Sequence, residues 1–152
     1  MTTQIHRFVE ACRAGTNPRA VCQLRSGWVV MGEAQFLAGY CLLLPDPVVD
    51  HLNALDCEQR IAVLEDAAAI GDALLDLCGA TRINYEILGN LEPALHVHVF
   101  PRYDAEAAAL RTKPVWFYDW DNAPKFDATK DAPLVSQIAA YLGKRGLTVE
   151  RA

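Results

Sequence analysis

The run Leu95-His96-Val97-His98-Val99-Phe100-Pro101-Arg102 alternates between two kinds of side chain and closes on a proline. A β-strand is the regular element that segregates such an alternation onto two faces. His96, His98 and Phe100 then share one face, and Leu95, Val97 and Val99 the other. Two residues at roughly 3.3 Å of rise set the two histidine Cα atoms about 7 Å apart, with their side chains aimed the same way. Imidazole titrates near neutral pH, so the pair can act as nucleophile and proton donor in phosphate or acyl transfer. It can equally form a metal-ligand pair or serve as structural histidines, and the spacing leaves all three readings open.

The scaffold around this strand reads as α+β. Residues 4–13 suit a short helix, followed by the turn-forming Gly15-Thr16-Asn17-Pro18. Residues 21–24, 28–32 and 39–44 read as strands of an antiparallel meander, separated at Ser26-Gly27 and Glu33-Ala34-Gln35 and stopped by Pro45-Asp46-Pro47. Asp56, with Gln59 three residues on, caps a long helix. Its apolar face reads as Ile61, Leu64, Ala68, Gly71, Leu75 and Cys78, recurring at three and four, and Gly79 ends it. Residues 82–87 and 95–100 complete about five antiparallel strands, with the long helix on one face. Asp131 or Pro133 opens a C-terminal helix carrying Leu134, Ile138, Tyr141 and Leu142 on one side.

Composition bounds the class. A chain of 152 residues with 52% hydrophobic content buries about 68 to 70% of its unfolded surface as one domain spanning 1–152. Lys plus Arg at 14 against Asp plus Glu at 19 gives 14 − 19 = −5, which argues against nucleic acid as a partner but not against a single bound nucleotide. The five cysteines, Cys12, Cys22, Cys41, Cys57 and Cys78, form no paired motif, so neither a disulfide framework nor a zinc ribbon is expected. With no apolar signal-peptide core and no apolar run of about 20 residues, the expectation is a cytoplasmic protein without a membrane partner.

The longer window Asn84-Tyr85-Glu86-Ile87-Leu88-Gly89-Asn90-Leu91-Glu92-Pro93-Ala94 through Pro101-Arg102 resembles the signature of the histidine-triad family of nucleotide hydrolases and transferases. That pattern alternates three histidines with apolar residues and often closes on Pro-Arg. His96 matches the middle histidine and His98 the last, while Ala94 replaces the first. Upstream, Gly39-Tyr40-Cys41-Leu42-Leu43-Leu44-Pro45 is similar to the family's Gly-His, apolar, Pro segment, with Tyr40 in place of an auxiliary histidine. The resemblance covers roughly residues 20 to 105.

It implies residue roles and partners. His96 attacks the α-phosphorus of a purine nucleotide conjugate, a phosphoramidate or a dinucleoside polyphosphate, to give a nucleotidyl-histidine. Its second ring nitrogen is held by a main-chain carbonyl, and His98 donates to a phosphate oxygen. Asn84 and Asn90 match positions that contact phosphate or the leaving group. Arg102 is a candidate for steering phosphate, and Glu33 for binding ribose. Tyr40 and Ala94 are expected to stand behind the nucleophile, exchanging volume with each other where the family has two histidines. The resemblance further implies a homodimer joined through the long helix and an adjacent strand, a small-molecule nucleotide as ligand, and no cofactor or metal.

Two other readings accompany it. One is a nucleotide-binding module of the same fold that has lost catalysis. The other is a metal site in which His51 or an acid joins His96 and His98. The aromatic cluster Trp116, Phe117, Tyr118 and Trp120 belongs to no motif; its density points to packing, or to a wall on which a nucleobase stacks.

Overall fold

The computed structural model describes residues 2–150. Helix α1 (Gln4–Arg13) is capped by Thr3, whose hydroxyl accepts the His6 N–H while the His6 ring returns a bond to the cap. Strands β1 (Ala20–Gln23), β2 (Gly27–Met31) and β3 (Cys41–Pro45) follow as the meander. Helix α2 (Cys57–Cys78) starts at the reciprocal Asp56–Gln59 cap and stops at Gly79, whose φ of 68° is the left-handed conformation that suits glycine. Strands β4 (Arg82–Glu86) and β5 (Val97–Arg102) and helix α3 (Ala132–Lys144) complete the chain. The five strands form one antiparallel sheet in the order β1-β2-β3-β5-β4. The α+β architecture read from the sequence is the observed one.

Strand alternation divides the core into layers. Val29 and Met31 of β2, Cys41 and Leu43 of β3, and Val97 and Val99 of β5 point to one face, where Val63, Ala67, Ile70 and Leu74 of α2 and Ile138 and Leu142 of α3 cover them. Each fully buried aliphatic side chain there contributes about 1.5 to 3 kcal/mol. The opposite face is covered in two pieces. Helix α1 lays Ile5, Val9 and Cys12 on Trp28, Val30, Leu44 and Ala94. At the other end Val115, Tyr118 and Trp120 close over Leu37, Tyr40 and Phe100.

Two expectations are corrected. The α2 stripe read as its core face points outward: Ile61 is 57%, Leu64 49% and Leu75 38% exposed, and Ala68 is exposed too. Val63, Ile70 and Leu74, with alanines between them, make the contact with the sheet instead. Gly71 alone of that stripe is buried, and a Cβ there would lie 2.1 Å from the Tyr85 hydroxyl oxygen. Strand β5 also begins two residues later than expected and continues through Pro101. The ladder to β3 has already ended at the Cys41–Val99 pair, so the proline interrupts no pairing on that side.

Asp66 is the polar exception on the buried side of α2. Its carboxylate accepts from the Ser26 N–H at 2.9 Å and the Ser26 hydroxyl at 2.6 Å, pinning the β1–β2 turn to the helix. Among the described residues no helix is long and apolar enough to cross a membrane.

Candidate active site

Strand β5 lies between β3 and the edge strand β4, so its residues are flanked by a strand on either side. His98 is registered against Leu42 of β3 and Glu86 of β4. His96 stands one residue before the strand. Both histidines are buried, with ring centroids 4.8 Å apart and planes at 70°. Phe100 lies parallel to His98 at 5.6 Å and continues the same face.

The main chain and a phenol hold the two rings. Nδ1 of His96 is 2.7 Å from the carbonyl oxygen of Ala94. A carbonyl only accepts, so Nδ1 carries the hydrogen, and in the neutral ring Nε2 is left with its lone pair. Nδ1 of His98 is 2.6 Å from the Tyr40 hydroxyl. Burial, and after it the neighbouring His96, lowers the His98 pKa to about 4, so this ring is neutral at physiological pH.

The gap between the two covers of this face forms a cavity of about 350 Å³. Gln4, Ile5 and Phe8 of α1 line one side, and Trp120, Asp121 and Lys125 the other. Arg19, Glu33, Ala34, Tyr40, Leu42, Glu92, His96 and His98 complete it. The Arg19 guanidinium lies over the Phe8 ring at 4.8 Å. Glu92 accepts from the Gln4 N–H at 3.1 Å and the Ala94 N–H at 3.2 Å, tying the start of α1 to the residue whose carbonyl holds His96. Burial alone would raise this carboxyl, but hydrogen bonds from Thr3, Ala94 and Gln4 hold it below its ordinary range.

Of the residues singled out in the sequence, this cavity gathers His96, His98, Glu33 and Tyr40, with the Ala94 carbonyl directly on His96. Others lie elsewhere. Arg102 is buried with its guanidinium on Glu106 at 2.8 Å, on Asn84 Oδ1 at 2.7 Å and on the carbonyls of Leu110, Arg111 and Lys113. It thus straps the segment after β5 to the sheet, where phosphate steering was expected. Asn84 and Arg102 line a separate cavity of about 640 Å³. Asn90 and His51 line a third, of about 830 Å³. His51 is therefore apart from the histidine pair, and among the described residues no group of three or more His, Cys, Asp or Glu side chains is placed to hold a metal ion.

The expected exchange of volume between Tyr40 and Ala94 is also corrected. Ala94 packs under α1, whereas Tyr40 packs on Phe100 with centroids 4.1 Å apart. Each meets a different histidine. The aromatic segment packs and borders the site at once: Trp116 presents its edge geometry to His98 at 5.8 Å and stacks on Trp120 at 5.0 Å. Ile5, Phe8, Arg19, Glu92 and Lys125 were not singled out from the sequence. They reach the cavity from distant parts of the chain, and only Glu92 lies inside the motif window.

No family model matches the sequence, and no curated protein does at a significant level. Solved structures do match. A histidine triad protein from Bradyrhizobium japonicum is 25% identical, with a TM-score of 0.70 over 80% of this chain and 88% of that one. A histidine triad protein from Marinobacter aquaeolei is 20% identical, with a TM-score of 0.73 over 95% of this chain and 98% of that one. The diadenosine triphosphate hydrolase of Plasmodium falciparum is 15% identical, with a TM-score of 0.59 over 84% of this chain and 78% of that one. The chain therefore shares its fold with these histidine triad proteins.

Proposed function

We propose that the chain is a nucleotide hydrolase or nucleotidyl transferase in which Nε2 of His96 attacks the α-phosphorus of a purine nucleotide phosphoramidate or dinucleoside polyphosphate. The observation that carries this reading is the 2.7 Å bond from His96 Nδ1 to the Ala94 carbonyl. It aims an unprotonated ring nitrogen into a nucleotide-sized cavity. The N–P bond forms as the bond from phosphorus to the leaving group breaks, and the leaving group departs with the electron pair. Water or another acceptor then displaces His96 from the nucleotidyl intermediate. His98 donates to the phosphoryl oxygen on which charge develops. Ile5, Phe8 and Leu42 offer an apolar bed for the base, and the Glu33 carboxylate accepts from ribose hydroxyls. Arg19 and Lys125 offset phosphate charge. Similarity in fold to a diadenosine triphosphate hydrolase supports the substrate class.

The experiment is AMP release from adenosine phosphoramidate, dinucleoside tri- and tetraphosphates and ADP, run on wild type beside His96→Ala. Turnover by wild type alone is the expected result. Ala94, standing where the family's first histidine would be, favours a second reading of a binding module without catalysis. In that case AMP raises the melting temperature and neither protein releases product.

The same reading includes a homodimer. The outer edge of β1 is met by the C-terminal tail through the Leu24–Thr148 bridge and the Val149 N–H to Gln23 carbonyl bond at 2.9 Å. Strand β4 is the other edge, and beside it Tyr85, Ile87 and Leu88 are exposed, as are Ile61, Leu64 and Leu75 of α2. An apolar edge and an apolar helix stripe together suit a second copy of the chain. A monomer mass at micromolar concentration would remove the dimer from this reading.

A further inference from the structure

The structure constrains the protons on both imidazoles of the cavity. At His96 a carbonyl leaves one choice. At His98 the partner is a phenol, which can donate or accept. If Nδ1–H of His98 donated, the Tyr40 hydrogen would need another acceptor. Tyr40 is 3% exposed, and His98 is its hydroxyl's hydrogen-bond partner among the described residues. A buried O–H left unpaired costs about 1 to 3 kcal/mol. If the phenol donates instead, its hydrogen is satisfied and the remaining hydrogen of the neutral ring sits on Nε2. Burial raises the Tyr40 pKa well above its ordinary value, so the phenol keeps the proton it donates.

We propose that Tyr40 is a positioning residue that locks His98 in the Nε2–H tautomer, so that the two histidines of one cavity present opposite chemistry, a lone pair on His96 and a hydrogen on His98. The arrangement deepens the nucleotide reading, on which its catalytic consequence rests, whereas the tautomer itself does not depend on that reading. A phosphoryl oxygen meets a fixed donor beside the nucleophile without a positive charge on the His98 ring itself. A single Nε2 lone pair also makes the two rings a poor chelate for zinc, because a ligating imidazole nitrogen must be free of hydrogen. Tyr40 stacks on Phe100 at 4.1 Å and lies nearly parallel to His98 at 5.9 Å, so the phenol is itself held by packing.

The test is nitrogen-15 NMR of the histidine rings in the full-length chain near neutral pH, with His98→Gln assigning the signals. Wild type should show His98 with a bare Nδ1 and a protonated Nε2, and Tyr40→Phe should shift that ring to a mixture of tautomers. On the substrate the wild type turns over, Tyr40→Phe should lower kcat by about 10-fold with KM nearly unchanged. A hydrogen on Nδ1 of His98 in wild type, or an unchanged tautomer in Tyr40→Phe, overturns the proposal. Should Tyr40→Phe melt early, the wild-type spectrum decides alone. Absence of turnover in every protein defeats the catalytic reading and leaves the spectrum to judge Tyr40.

Discussion

The two faces of the sheet are built on different principles. Under α2 and α3 the contact is almost wholly aliphatic, with Asp66 its buried charge. On the histidine face the cover is divided, and polar contacts hold its parts in place: Arg102 on Glu106, Tyr118 on the same carboxylate, and Glu92 on α1. A continuous apolar layer leaves no room for a ligand. A layer interrupted in the middle and secured at its margins does, and the histidines stand in that interruption. Stability and site are thereby assigned to opposite sides of one sheet.

Substitutions can break this contrast, beginning with the largest effect. Arg102→Met leaves the Glu106 carboxylate, 4% exposed at its side chain, without its cation. The expected cost is about 3 to 5 kcal/mol in urea unfolding, with the 103–118 segment loosened. A cost below 1 kcal/mol would show that the strap does not secure the margin. On the other face Leu74→Ala removes a side chain with no exposure, for about 2 to 5 kcal/mol. That loss should be the same at pH 4 and pH 7, since nothing ionisable changes.

Acid sharpens the contrast. The unfolded chain protonates His98 near its ordinary pKa of 6.5, but the folded chain does so only at about 4. Stability should therefore fall as pH drops from about 6.5 to about 4, by roughly 3 kcal/mol, and this contribution levels off below. His98→Phe should flatten that part of the curve, whereas Leu74→Ala lowers the whole curve without reshaping it. The smallest effect lies where α2 meets β4. Gly71→Ala sets a Cβ against the Tyr85 hydroxyl and costs about 1 kcal/mol, and adding Tyr85→Phe should recover it by removing that oxygen.

Local chemistry made much of this legible in the sequence. The bounds of α1, the Asp56–Gln59 cap, the Gly79 stop and the alternation that pairs His96 with His98 all depend on neighbours a few residues apart. The outward stripe of α2 misled because hydrophobicity marks what is apolar, not what it covers, and the alanines that face the sheet are weak signals. The Tyr40–His98 bond joins residues 58 apart. The Gly39–Pro45 segment marks Tyr40 as a site residue but not His98 as its partner, and an arginine ending a strand does not reveal that Glu106 and three carbonyls will enclose it. The pair itself was readable; its surroundings depend on the tertiary fold.

One wall of the histidine cavity comes from residues 4–8 and the opposite wall from residues 120–125. During synthesis the chain emerges from its N-terminus onward, so α1 and the strands precede the histidines, and the histidines precede their second wall. A ribosome-bound chain stopped shortly after Arg102 would carry His96 and His98 yet lack Trp120, Asp121 and Lys125. The pocket is thus completed well after its histidines, and a nascent chain cannot enclose its ligand until residue 125 has been made.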